Sequence, residues 1–442
     1  MTEGSLGKNI LLFSIPLMIS NLLQVLFNMA DIAVVGQFAG SAALGSVGST
    51  ATLVTMFTDF LIGLSGGINV LTALYLGAGN KKATTETVHT SLLLSIIIGI
   101  LLMLLGIGSS REILQILQTK PELLDGAVLY IRIYFLGIPA LAVYNFGNAV
   151  FSAGGETKRP LYYLSFAGIV NVLLNLFFVI VCKMSVAGVA WASVIAQYIS
   201  AIWIVRALFK SRETYALRRS SLHIHREKVK DILRIGVPAG AQNAIFQVAN
   251  LFIQVGVNSF SATMVAGNSA AANADAVVYG VMMSFYTACG TFMGHNYGAG
   301  KKERIRKSYL VSLGYSFGVG MLLGILLVIF GKPFLGLFTS DPAVVEAGMH
   351  RLVIMGFSYG FSAFMDCTIA ASRALGKSLA PTVIVLLGSC AFRIVWVYTV
   401  FAHFRTIPSL YLLYIFSWGI TAAAEILYFV RIYKRQISAV VL

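Results

Sequence analysis

Twelve stretches of this chain are each long and apolar enough to cross a lipid bilayer, and that repetition leaves few folds open. They cover roughly residues 9–38, 47–76, 91–108, 127–151, 161–181, 185–209, 232–259, 269–295, 308–330, 347–372, 381–403 and 409–431. A spanning helix needs about 20 mostly apolar residues. The blocks are too long for barrel strands and lack the alternation a barrel shows. Hydrophobic residues make up 58% of the 442 positions and charged ones 11%. A water-soluble chain of this length would hold about 45–50% apolar residues, spread over about three domains. The expected fold class is therefore an all-α membrane protein.

A formal charge of +15 suggests nucleic acid until its distribution is considered. Threading twelve spans from a cytoplasmic N-terminus leaves 24 of the 32 Lys and Arg on the cytoplasmic side. The dense groups are Lys81/Lys82, Lys158/Arg159, residues 206–234, Lys301 to Lys307 and Arg431 to Arg435. That asymmetry is the positive-inside rule, with anionic lipid as the natural partner of the basic face. Both termini are expected in the cytoplasm. The start, "MTEGSLGKNI", runs into a long apolar block with no small-residue cleavage site, so a removable signal is not expected. Cys182, Cys289, Cys367 and Cys390 stand singly, without metal spacing, and read as packing residues.

The longest polar connection, residues 210–231 ("KSRETYALRRSSLHIHREKVKD"), divides the blocks six and six. The halves repeat. "SIPLMISNLLQVLFN" (14–28) aligns with "GVPAGAQNAIFQVAN" (236–250) at an offset of 222, matching Pro16 to Pro238, Asn21 to Asn243 and Asn28 to Asn250. "LGAGNKK" (76–82) aligns with "YGAGKKE" (297–303), and "GETKRP" (155–160) with "GKSLAP" (376–381), both at 221. An even number of spans per copy makes the repeats parallel, related by an axis along the membrane normal. The expected architecture is two pseudo-symmetric six-helix bundles, residues 1–209 and 232–442, joined by a cytoplasmic linker at 210–231. Such pairs enclose a cleft that rocking opens alternately to each side, the architecture of a carrier.

The first block carries a polar stripe. Ser14, Asn21, Gln24, Asn28 and Asp31 share one helical face, roughly a 100° arc. Buried polar groups in hydrocarbon cost several kcal/mol unless satisfied, so this face must meet other helices or water. The second copy repeats the stripe with Asn243, Gln247, Asn250, Gln254 and Asn258, beside Gln242, but Ile253 stands where Asp31 would be. Asn171 and Asn175 at i, i+4, Ser193 and Gln197 at i, i+4, and Asn145 and Asn148 at i, i+3 offer amide and hydroxyl company. A carboxylate among such groups can hold a proton or a small hard cation, sodium being the metal candidate at Asp31. Polar side chains also serve simply as glue between helices, at about 0.6 kcal/mol each.

Asp59, Asp366 and Glu425 are further intramembrane acids, and Asp275 lies near the outer start of the eighth block, where solvent is expected to reach it. Asp366 and Glu425 are candidates for binding a cationic substrate, and Arg393 is placed to neutralise one of them. Met282 and Met283, with Phe285 and Tyr286, are candidates to line a soft, adaptable pocket. "ALGKS" (374–378) lacks the glycine and the strand of a phosphate-binding loop. No HExxH, GxSxG or carboxylate pair is present, and the six histidines fall mostly at loops or span ends without clustering. An enzyme is not expected.

"IPLMISNLLQVLFNMADIAVVGQFAGSAALGSVG" resembles the first helix and following loop of the multidrug and toxic compound extrusion (MATE) family, prokaryotic type. "GHNYGAGKK" (294–302) resembles that family's turn after the eighth helix, with His295 where Gln is usual. "GGETKRP" and "ALGKS" resemble the turns after helices four and ten, and "AGVAWAS" (187–193) the sixth-helix segment. The resemblance covers nearly the whole chain. It implies a secondary active exporter of organic, often cationic compounds, driven by proton or sodium entry. By resemblance, Asp31 binds the coupling cation, Asn171 and Asn175 occupy the family's Asn-x-x-x-Asp, and Ser193 takes the place of a sixth-helix Thr. The amide at 175 leaves Asp31 as the one mapped carboxylate, which weighs toward protonation. Gln24, Asn28, Asn145, Asn148, Gln242, Asn243, Gln247, Asn250, Met282, Met283, Asp366 and Glu425 are the substrate-cleft candidates. The expected partners are small organic compounds and membrane lipids, without nucleic acid or cofactor, for a monomer in the cell inner membrane. The alternative is a flippase for lipid-linked sugars, a relative that typically adds two helices and an arginine-lined cleft. A channel would show a filter motif or a ring of charges, and neither is found.

Overall fold

The computed structural model describes residues 1–439, with side chains to Gln436. Among the described residues there is no strand. The helices are α1 (Leu6–Val34), α2 (Ser41–Gly77), α3 (Lys81–Ile116), α4 (Pro121–Phe135), α5 (Ile138–Ala153), α6 (Lys158–Leu176), α7 (Ser185–Lys210), α8 (Arg226–Asn258), α9 (Ala262–Gly298), α10 (Lys302–Leu335), α11 (Pro342–Ala374), α12 (Leu379–Val385), α13 (Phe392–Trp396), α14 (Ala402–Phe404) and α15 (Ile407–Ala439). Helix is what lipid demands, because it satisfies every backbone donor and acceptor within the segment.

Ten spans are long and apolar enough to cross a membrane, or eleven if α4 and α5, bent by 47°, count as one. Pro139 opens α5 without an amide hydrogen, and the amides of Leu136 and Gly137 fall back on carbonyls three residues earlier. The block outside that count is the seventh, α8, whose run of Gln and Asn lowers its mean hydropathy. Wider, π-helical turns follow α1 (Val35–Ala39) and α6 (Phe177–Val181) and lie on both sides of α13 (Leu386–Ala391 and Val397–Phe401).

The duplication is visible in backbone angles. Gly79 and Gly300, 221 residues apart, both close a helix at φ +67°, and Gly155 and Gly376 are left-handed at +86° and +76°. Such values favour glycine, which has no Cβ to clash. α2 and α9 each have 37 residues.

The chain forms two compact units: Ile19–Gly240, and Met1–Met18 with Ala241–Leu442. The changes of unit fall at corresponding points, two residues after Pro16 in α1 and after Pro238 in α8. Each proline removes one helical hydrogen bond where the chain passes from one unit to the other.

In the Ile19–Gly240 unit, α2 meets the first part of α8 through glycines. A Cβ on Gly63 would lie 2.5 Å from the Gly240 nitrogen, and one on Gly67 2.7 Å from that of Gly236. Paired small residues four apart let two backbones touch. The 210–231 connection packs into this unit. Tyr215 is buried against Phe151, and a Cβ on Gly154 would meet its ring at 2.3 Å. Burial pushes the Tyr215 phenol up to about 12. His89, near the start of α3, is buried. Its Nε2 accepts from the Arg218 amide at 2.8 Å, tying the connection to the bundle.

In the other unit, α9, α10, α11 and α15 surround a core that includes Met282, Met355, Tyr359 and Trp418. The chain's start packs there too. Phe13 meets Phe292 edge-on at 5.5 Å, and Arg304 donates to the carbonyls of Met1, Glu3 and Gly4. Burial, with Arg304 alongside, lowers the pKa of the terminal amine. Cys289, Cys367 and Cys390 are free and buried as packing residues, while Cys182 is exposed.

Candidate ion-coupling site

Phe27 of α1 seats on Gly168 of α6, where a Cβ would fall 1.9 Å from the ring. One turn further on, that contact brings Asp31 to Asn175. The Asn175 Nδ2 donates to the Asp31 carboxylate and also, at 2.7 Å, to Asn171 Oδ1. The Asn171 Nδ2 donates to Ser193 Oγ of α7 at 3.4 Å. All four residues named from the sequence for ion coupling thus form one hydrogen-bonded chain across α1, α6 and α7. Asn171, Asn175 and Ser193 are buried, and Asp31 is half-buried in the last turn of α1. No ion pair among the described residues includes Asp31. Asn175 Oδ1 is buried without a partner. No group of His, Cys, Asp and Glu among the described residues has the makings of a metal cage.

Sequence reasoning missed Tyr130, buried, and Tyr134, half-buried, two phenols of α4 in the electrostatic neighbourhood of Asp31. Their i, i+4 spacing on one face was the available signal. Gln24 and Asn28 are exposed on α1. Asn145 and Asn148 are half-buried, with Asn145 bonded to the Leu141 carbonyl of its own turn at 3.0 Å.

The polar residues of α8 lie in the other unit. Gln242 is buried and accepts from Arg373 at 2.8 Å, Asn250 accepts from Arg393 at 3.1 Å, and Gln254 donates to Asn258 at 2.8 Å. Asn243 and Gln247 are half-buried. Ile253, which stands where the first copy has Asp31, is in the apolar core. Met282 is buried in that core, its sulfur against Gly320, so it packs helices; Met283 is half-buried.

Two expectations about charge need correction. Asp275 is buried, paired with Arg351, and accepts from Tyr359 at 2.5 Å. Arg351 reaches it from α11, which the linear sequence does not show. Arg393 forms no ion pair with Asp366 or Glu425; the cation whose field reaches both is Arg373. Arg373 also donates to Tyr286 at 2.6 Å. Glu425 is fully buried and neither of its carboxyl oxygens has a hydrogen-bond partner.

Apolar helices long enough to span, a chain repeated at a fixed offset and an acid held among buried amides define a multi-pass membrane protein of the transporter class. The pattern that describes the MatE family matches residues 16–177 and again 238–399, so each repeat is one copy of it. The chain belongs to this family, the multidrug and toxic compound extrusion transporters. It is 27% identical to the probable multidrug resistance protein YpnP of Bacillus subtilis (strain 168), covering 89% of this chain and 88% of that one. It is 26% identical to the probable multidrug resistance protein NorM of Thermotoga maritima, covering 90% and 86%. A crystal structure of MATE in complex with MaL6 shares the fold with a TM-score of 0.90 at 22% identity, over 99% of this chain and 97% of that one.

Proposed function

We propose that the protein is a secondary active multidrug exporter of the cell inner membrane, with both termini cytoplasmic. It works as a monomer and without a cofactor, exchanging organic compounds for an inward-moving cation by alternating access. The observation that carries this reading is the Asp31 carboxylate, held by Asn175 and by no Lys or Arg among the described residues. A carboxylate inside a bundle without a fixed countercharge has its charge to be neutralised by a mobile ion.

The coupling ion is the proton. Asn175 presents one amide hydrogen to Asp31 and the other to Asn171 Oδ1, which is thereby taken. A donor facing the carboxylate suits an ionised acid that gains and loses a proton. Sodium is the second reading, favoured by the partnerless Asn175 Oδ1, because turning that amide over adds an oxygen beside Asp31. Neutralising Asp31 turns the charge-assisted hydrogen bond that Asn175 gives it into a weaker, neutral one. The α1–α6 contact then repacks, the compound is released outward, and the neutral carrier returns. The names of the relatives favour drug export over flipping lipid-linked sugars.

The test is dye efflux from proteoliposomes under separately imposed proton and sodium gradients. Efflux that ignores both gradients would refute the antiport.

A further inference from the structure

Three arginines lie buried in the unit formed by Met1–Met18 and Ala241–Leu442, and only two have an acid to answer them. Arg351 pairs with Asp275, and Arg373 is the cation whose field reaches Asp366 and Glu425. Arg393 is fully buried in the span Leu379–Phe404 and belongs to no ion pair among the described residues. Its Nε donates to Ser417 Oγ at 3.3 Å and its Nη1 to Asn250 Oδ1 at 3.1 Å, while Nη2 has no partner. The guanidinium lies 4.5 Å from the Phe246 ring, 4.9 Å from Tyr414 and 5.6 Å from Trp418.

We propose that Arg393 is a recognition point for an anionic group, a carboxylate or phosphate, on the compounds this protein carries. The proposal rests on the export reading and names the class of compound: aromatic organic anions and zwitterions. The Nη1/Nη2 edge of a guanidinium is a planar fork that fits two oxygens of one anion. Here that edge is spent on one neutral amide, with its other half empty. Three rings lie within 5.6 Å of the cation, and Nη2 is the corner that no polar group answers. Asn250 and Phe246, one turn apart on α8, are half-buried on the face that carries Asn243 and Gln247, so the guanidinium lies one side chain behind a polar surface. An arriving anion displaces Asn250 from Nη1 and takes Nη2 as well. The aromatic side chains then hold a planar body attached to it. The five-residue α13, set between two π-helical turns, carries the arginine, and such turns occur often at functional sites.

The experiment compares fluorescein, an anion, with rhodamine 6G, a cation on the same xanthene skeleton. Each is titrated onto purified protein in phosphatidylcholine nanodiscs, with binding read by dye anisotropy. Arg393→Gln removes the charge. Asn250→Asp keeps the arginine and supplies an internal anion beside it, so it tests the idea even if Arg393→Gln fails to fold. Both variants should weaken fluorescein relative to rhodamine 6G by about tenfold or more, and Arg393→Lys should restore part of the preference. An unchanged ratio of the two affinities in Asn250→Asp overturns the proposal. So does loss of fluorescein binding by the unaltered protein when phosphatidylglycerol replaces phosphatidylcholine, which would assign the site to a lipid headgroup. No gradient is applied, so a failure of the antiport reading would leave this result intact.

Discussion

Asn175 of α6 donates a hydrogen bond to Asp31 of α1 across 144 residues of chain, and the same amide nitrogen binds Asn171. One amide thus connects the acid to a second helix and, through Asn171, to Ser193 on a third. Any change in the charge of Asp31 acts directly on the packing of α1 against α6.

Asp31→Asn keeps the shape of the side chain and removes its capacity to exchange a proton. Gradient-driven dye efflux from proteoliposomes should fall by about tenfold or more, toward the leak of empty vesicles. Full efflux by this variant would remove Asp31 from the coupling step.

Asn175→Asp puts a second carboxylate in contact with the first. Two adjacent acids repel when both are ionised, and an oxygen-binding cation relieves that repulsion. Efflux from the variant should become stimulated by an inward sodium gradient at fixed pH. A sodium response equal to that of the unaltered protein would show that residue 175 does not set ion choice.

Asp275→Asn should leave Arg351 charged and buried beside a neutral group. Breaking a buried pair by removing one partner costs about 3–5 kcal/mol. The midpoint of thermal unfolding in detergent should drop clearly, and the double change Asp275→Leu with Arg351→Met should lose less than the single one.

Gly63→Val should separate two backbones in contact, because a Cβ at that position meets the Gly240 nitrogen at 2.5 Å. Overpacking of this kind costs about 1–3 kcal/mol. Gly66→Val, in the same helix with nothing within 4 Å of its Cβ, is the control. A lower yield of monodisperse protein is expected for the first and not for the second.

Much of the fold could be read from the chain because the bilayer imposes a simple rule. Each apolar block had to be helical, and each of the twelve is, the fourth as the bent pair α4 and α5. The repeat at 222 was equally readable, since Pro16 and Pro238 mark corresponding positions near which the chain changes unit. Arg393 was the instructive failure. Its place in an apolar block suggested an acid partner, yet three rings and two neutral oxygens surround it.

The sequence by itself determined the helices, their duplication and the presence of a carboxylate within α1 in only one copy of the repeat. These follow from local composition and periodicity, because hydrocarbon penalises an unsatisfied backbone wherever it occurs. Only the tertiary structure decided which charges are answered. Asp275 met Arg351, Asp31 met an amide, and Arg393 met no acid, because side chains 76 to 144 residues apart become neighbours only when helices pack.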